Sequence, residues 1–459
     1  MYSGRRLARV LRPALELQCA ALAALDRGQP APPLSNHTSA GLPVTHLAGF
    51  IDALAPSLPW KQPHGTHGLG GSGDDIDDDW FVSLQSEGAS AVFAACDLLM
   101  QLQALEGGGG ASGGARSLVA VGALSYHGPA SSSFGGASSS FGQVRYPVPS
   151  LLSARDGGPG ECPEAFEARA CAAIDDWLGR HGDSVGVLLL EPQWGSSQCA
   201  MPWPPSVLLH LARGAKECGI KVCADEIMCG LGRHGLGGGV FASSSAVLGV
   251  AGLVDAVTFG KGLGGGAGDV LAGVAVRKGA AALGAAGRTA LQSHTYSGAS
   301  SRALLTATHV LQELPRTSSL VAAGAVAVGR NLRRLESESR GGWVCHGQGL
   351  LWGGVFAHRD QSVRAQAVIR LGEHCDRLGV DVYRVNRTGG FMVTPPLDAA
   401  EQPLTDDNGH GKGEDQGDRD GGALEEAMAR LRRAAVEAAD DMDREIGPRR
   451  DGLHMGIVH

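Results

Sequence analysis

The sequence predicts an α/β protein with a large domain on an open, mixed but mostly parallel sheet and a smaller α+β domain beside it. Three short runs, the continuous apolar Val185 to Leu190 and the mostly apolar Ile220 to Ala224 and Ala256 to Phe259, have the length of buried strands. Helical spacing over Glu164 to Leu178 and Val207 to Cys218 precedes the first two of them. Each run stops at a polar group: Glu191, the pair Asp225 and Glu226, and Lys261. Open α/β sheets hold ligands outside the carboxyl ends of their strands, so a carboxylate and an amine are expected in one crevice. The 459 residues suffice for one large domain and a smaller one.

Composition narrows the function. A net charge of −8 gives no electrostatic reason to expect nucleic acid, which leaves small-molecule chemistry. Ten cysteines, with neither a C-x-x-C pair nor a Cys/His cluster at zinc spacing, indicate no metal and no disulfide framework; they read as reduced, mostly buried thiols. Glycine, at 70 residues, is about twice its usual share. Much of the excess lies in tracts at 107–114 and 409–422, which read as flexible insertions. No apolar run is long enough to span a bilayer, so a soluble protein without a membrane partner is expected.

Taken in order, residues 1–25 carry Arg5, Arg6, Arg9 and Arg12 before the first acid, Glu16. Such a start reads either as an organelle transit peptide or as a surface helix kinked near Pro13, so cytoplasmic and mitochondrial locations both stand. Gly28 to Trp80 is rich in Pro, Gly, His and Asp, and Gly73 to Asp79 reads as a solvated loop. Ser86 to Ala91 opens an Ala/Leu-rich helix that runs to about Leu105 and stops at Gly107. Its first turn, with Gly88 and Ala89, leaves unpaired N–H groups for an anion. Ser117 to Leu124 reads as a strand ending in Ser125-Tyr126-His127-Gly128, and Val185 to Leu190 leads into Glu191-Pro192-Gln193-Trp194-Gly195. Leu271 to Val276 is one more strand, and Ser300 to Leu314, Ser362 to Leu378 and Ala423 to Ile446 are helices.

The acidic pair with Gly230-Leu231-Gly232-Arg233-His234-Gly235 behind it, followed by Thr258-Phe259-Gly260-Lys261-Gly262-Leu263-Gly264-Gly265-Gly266, resembles the class III aminotransferases. These are fold type I enzymes that use pyridoxal 5'-phosphate (PLP), and the resemblance runs from about Ser86 to Leu397. It implies a large PLP-binding domain over 82–315 and a small C-terminal domain over 316–459 with a low-complexity insertion at 404–422. The poorly matched segment 1–81 is then part of the small domain or a targeting segment.

The resemblance also assigns roles. Lys261 attaches the cofactor and relays the proton, and Asp225 pairs with the pyridine nitrogen. Gly88 and Ala89 hold the phosphate, with Thr295 reaching it from a second subunit of a homodimer. Tyr126 and Ile227 cover the ring faces, and His127 sits beside them in a structural role. Glu226 and Arg233 read as scaffold. Glu191 lies towards the substrate, and Arg387, or Arg384, would capture a carboxylate. Glu87 stands where the family has serine, and a carboxylate there repels a phosphate dianion. Ser196 and Met392 replace the charged pair of the ornithine-type branch, which points to the omega-amine branch. The implied reaction passes an amino group from a primary amine or amino acid to a 2-oxo acid in ping-pong half reactions. The alternatives are an epimerase, decarboxylase or phospho-lyase on the same scaffold, or an inactive homologue acting as an interaction protein.

Overall fold

The computed structural model describes residues 4–27, 44–59, 80–106, 116–128, 142–150, 162–237, 239–264, 270–277, 299–400, 422–447 and 456–458. The glycine tracts at 107–114 and 409–421, the acidic run 73–79, and residues 293–298 with Thr295 lie outside them. In chain order come α1 (Gly4–Asp26), α2 (Val44–Leu54), β1 (Trp80–Gln85), α3 (Gly88–Leu105), β2 (Leu118–Gly122), β3 (Gly142–Tyr146) and β4 (Val148–Ser150). Next are α4 (Pro163–His181), β5 (Val185–Leu190), α5 (Pro205–Glu217), β6 (Lys221–Asp225), β7 (Ala256–Phe259) and β8 (Ala272–Arg277). Helices Ser301–Glu313 and Ser318–Glu338 lead to β9 (Trp343–Gln348) and β10 (Leu351–Phe356). Helix Gln361–Leu378, β11 (Tyr383–Val385), β12 (Gly390–Val393), helix Ala423–Ile446 and β13 (Gly456–Val458) complete the chain.

The main sheet has seven strands in the order β1-β8-β7-β6-β5-β2-β3. From β7 to β3 all neighbours are parallel, while β8 is antiparallel to both β7 and β1. Strands β1, β2, β5, β6 and β7 therefore all finish at the same edge, where β8 begins. Every residue of β5 is buried, because both faces of the sheet are covered. Val187 and Leu189 meet Val92, Leu98 and Leu99 of α3 on one side. Leu188 and Leu190 join Ile174 of α4 and Leu208 and Leu211 of α5 in the core on the other. The alternation follows from the two-residue period of a strand, and helices on both faces make the strands continuously apolar.

A second, antiparallel sheet has the order β11-β12-β10-β9. Trp343 anchors it, with Phe356 and Phe391 edge-on at 5.3 Å. Gln193 ties the two sheets together, its Nε2 donating to Leu351 O at 3.0 Å.

The N-terminal region departs from its composition. Within the stretch rich in Pro, Gly, His and Asp, α2 buries Phe50 and Leu54 completely, and the Phe50 ring lies 6.2 Å from Phe259. Leu47, Phe50, Ile51 and Leu54 repeat at helical spacing, a short signal surrounded by Pro and Gly. Trp80, read as the end of that stretch, begins β1, which pairs along its whole length with β8. The Arg-rich start forms α1 as a surface helix packed on Ser301–Glu313. Val10, Ala14 and Ala21 are buried there, and Arg9 Nη1 bonds Glu313 at 3.3 Å. Among the described residues no helix is long and apolar enough to cross a membrane.

Candidate active site

The shared strand edge builds one cavity of about 330 Å³. The turn after β1 gives it Glu87, Gly88 and Ala89; the turn after β2, Tyr126 and His127; the turn after β5, Glu191, Gly195 and Ser196. Asp225, Ile227 and Met228 follow β6, Lys261 follows β7, and Val270 to Ala272 close the wall at the start of β8. Residues spread over nearly two hundred positions of sequence thus meet because their strands end together.

Asp225 is held on both oxygens. Its Oδ2 accepts from His127 Nδ1 at 2.7 Å, and its Oδ1 accepts from Thr258 Oγ1 at 3.0 Å and the Ile227 amide at 3.2 Å. Burial alone would raise this carboxyl, but the hydrogen bond and charge of His127 outweigh it, with help from the Ile227 amide and Thr258, and hold it below its ordinary value. Burial would likewise lower His127, yet Asp225, and Glu191 behind it, raise it. The pair is therefore stable as carboxylate and imidazolium.

Its linkage to stability has a defined sign. Asp225, with a depressed folded pKa, contributes fully above about pH 4 and loses that contribution as pH falls through the folded value. His127, with a raised one, contributes fully below about pH 6.5 and loses its contribution as pH rises through the folded value. In cofactor-free protein, His127→Asn is expected to cost about 3 kcal/mol near pH 5–6 and less at pH 9. Denaturant unfolding of wild type and variant across that range measures it, and a cost independent of pH would refute the pair.

Around this pair the supports are specific. Trp203 Nε1 donates to Glu191 O at 2.9 Å, and Trp203 stacks on Trp194 at 4.2 Å, which fixes the turn after β5. Glu191 Oε2 accepts from the Gly195 amide at 3.1 Å, and burial raises its pKa. Glu226 turns away from the cavity and accepts from the Ala242 amide, the Ser243 amide and Ser243 Oγ at 2.6 to 2.7 Å. Burial pushes it up to about 7 despite those bonds. Lys261 has φ of +36°, a positive value that residues with a side chain rarely adopt, and such backbone strain concentrates at functional sites.

The site gathers Lys261, Asp225, Gly88, Ala89, Tyr126, His127, Ile227 and Glu191 on one cavity. Arg387 is elsewhere: it is exposed in the turn between β11 and β12, its carbonyl taking Gln361 Nε2 at 2.9 Å. Arg384 lines a separate groove of about 1380 Å³ between helices Gln361–Leu378 and Ala423–Ile446, which contains neither Lys261 nor Asp225. Size alone does not make that groove the reactive site. The cavity wall at Val270 and Leu271 had no polar signal by which the sequence marks it.

This geometry is that of an open α/β sheet with a cavity at the carboxyl edge of its parallel strands. The chain is a member of the class-III aminotransferase family, which matches residues 112–365, and that family is PLP-dependent. No curated protein matches the sequence. Among solved structures it is similar to an omega-transferase from Vibrio fluvialis JS17, at 17% identity and TM-score 0.65 over 94% of this chain and 91% of that one. A thermostable omega transaminase mutant from Pseudomonas jessenii gives 17% identity and TM-score 0.66 over 97% and 87%. An omega-aminotransferase from Paracoccus denitrificans gives 18% and 0.64 over 94% and 86%. At such identities the likeness is one of fold.

The residues on the cavity fit PLP. An ionised carboxylate, Asp225, suits a protonated pyridine nitrogen. The first turn of α3 has no side-chain cap, so its amides are open to a phosphate. Space is tight at that turn: a Cβ on Gly88 would lie 3.0 Å from Ile227 Cγ2, so a larger residue there would press on the Ile227 side chain. Glu87 is the one discordant group, its Oε1 accepting from Ser90 Oγ at 3.3 Å.

Proposed function

We propose that the protein is a PLP-dependent aminotransferase that moves an amino group from a primary amine or amino acid to a 2-oxo acid in two half reactions. The arrangement of Asp225, Lys261 and the open first turn of α3 on one cavity carries this reading. Bound PLP supplies an electron sink for bond cleavage at the donor carbon. Asp225 holds the pyridine nitrogen protonated. The Lys261 amine attaches the cofactor and moves a proton at the donor carbon. Gly88 and Ala89 bind the phosphate, while Tyr126 and Ile227 cover the ring and exclude water. His127 positions Asp225. Glu191 borders the donor side, and the resemblance would have the protein act as a homodimer.

The test is net transfer. Purified protein with PLP is given a panel of amines and amino acids with pyruvate, glyoxylate or 2-oxoglutarate, and the aminated acceptor is quantified. Donor racemisation, decarboxylation or phosphate loss without an aminated acceptor assigns a different PLP reaction on the same residues, and no turnover with any donor leaves a cofactor-binding homologue.

Glu87 makes a separate prediction. Its charge opposes the phosphate, so Glu87→Ser is expected to tighten PLP about 5- to 10-fold. Affinity for pyridoxal, which lacks the phosphate, should barely change. Equilibrium dialysis of both ligands reads the difference, and an equal effect on the two would show that Glu87 does not act on the phosphate.

A further inference from the structure

A second cavity, of about 270 Å³, adjoins the first and shares Ile227, Met228 and Lys261 with it. Its far wall includes Arg233 and Thr394. Arg233 follows the β6 turn, where the chain runs against the β9–β10 hairpin so closely that a Cβ on Gly235 would lie 2.6 Å from Gly349 Cα. Among the described residues its hydrogen bonds both leave from Nη1, to Pro395 O at 2.7 Å and Leu350 O at 3.1 Å. No carboxylate among the described residues pairs with it. Burial lowers its pKa to about 10, so it keeps its charge at neutral pH.

Arg233 is half-buried, and carbonyl dipoles partner its charge without neutralising it as a counter-ion would. Arg233 lines a cavity that Lys261 also lines, and a guanidinium fork suits a planar anion.

We propose that this second cavity is a carboxylate subsite, in which Arg233 holds the anionic end of a donor or acceptor whose reacting end lies at Lys261. The assignment rests on the reading of Lys261 given above. It makes the preferred donors amino acids rather than plain amines, and it gives to Arg233 the role that sequence resemblance gave to Arg387.

Glutarate, a dicarboxylate without an amine, and its uncharged diamide are titrated calorimetrically into the full-length protein with and without PLP. The wild type is expected to prefer glutarate at least about 10-fold. Arg233→Met should lower that preference about 10- to 100-fold, and Arg233→Lys should retain part of it. Thr394→Glu, which places a competing carboxylate on the same wall and leaves the carbonyl bonds of Arg233 intact, should abolish it. In steady state, Arg233→Lys should raise KM for 4-aminobutanoate more than for butylamine, whereas a strut would affect both alike. A wild type that binds the diamide as well as glutarate, or a preference that survives both Arg233→Met and Thr394→Glu, overturns the subsite. If no amino transfer is found, the glutarate titration still decides this proposal. Transfer without a carboxylate preference removes the subsite alone.

Discussion

Lys261→Ala is expected to remove the lysine-dependent visible absorption of the PLP-loaded protein and to lower turnover by about 10²–10⁴-fold from the lost proton transfer alone. The reason is positional. Lys261 is the lysine on the 330 Å³ cavity, it borders the second cavity as well, and its backbone is held at φ of +36°. A small exogenous amine should restore part of the activity, because it can supply a basic nitrogen but not the fixed placement. An unchanged spectrum with full turnover would end the proposed function.

Asp225→Asn should separate two roles that Lys261→Ala merges. The lysine-dependent absorption should persist, since Lys261 is intact, while turnover falls about 10²-fold or more because the fixed negative charge facing the ring is gone. Stability should fall too, by about 3 kcal/mol at pH 6, because His127 loses the carboxylate that keeps its buried charge. Asparagine still accepts one hydrogen bond, so the fold itself is retained. Turnover at the wild-type rate would show that the carboxylate does not act on the ring, whatever it does for the fold.

What was legible in the sequence was whatever depends on neighbours along the chain. The run Val185 to Leu190 is β5 residue for residue, and Ala423 to Ile446 is a helix with those limits, because a continuous apolar run and an i, i+4 stripe are local signals. The polar groups at strand ends share a cavity because strand direction decides where they go. Elsewhere the signal is not local. The helix Val44–Leu54 shows only one and a half apolar repeats, and its partner Phe259 lies far along the chain. Arg233 reads as scaffold because an arginine among glycines says nothing about the cavity it borders. Arg387, or Arg384, rests on the resemblance, and a resemblance along the chain does not tell which side of the β11–β12 turn faces the cavity.

The pairing of β1 with β8, Trp80 opposite Arg277, also constrains the order of assembly. It closes a loop of roughly two hundred residues, and such closure is entropically expensive and slow. On the ribosome, the turn carrying Glu87 and Gly88 cannot take its place until β8 has been synthesised, although it emerges long before. The first turn of the helix Gly88–Leu105 is thus a late product of folding, and if it holds the phosphate as proposed, recovery of PLP binding during refolding should lag behind the recovery of helix. Cofactor capture would then act as a report that the chain has been completed.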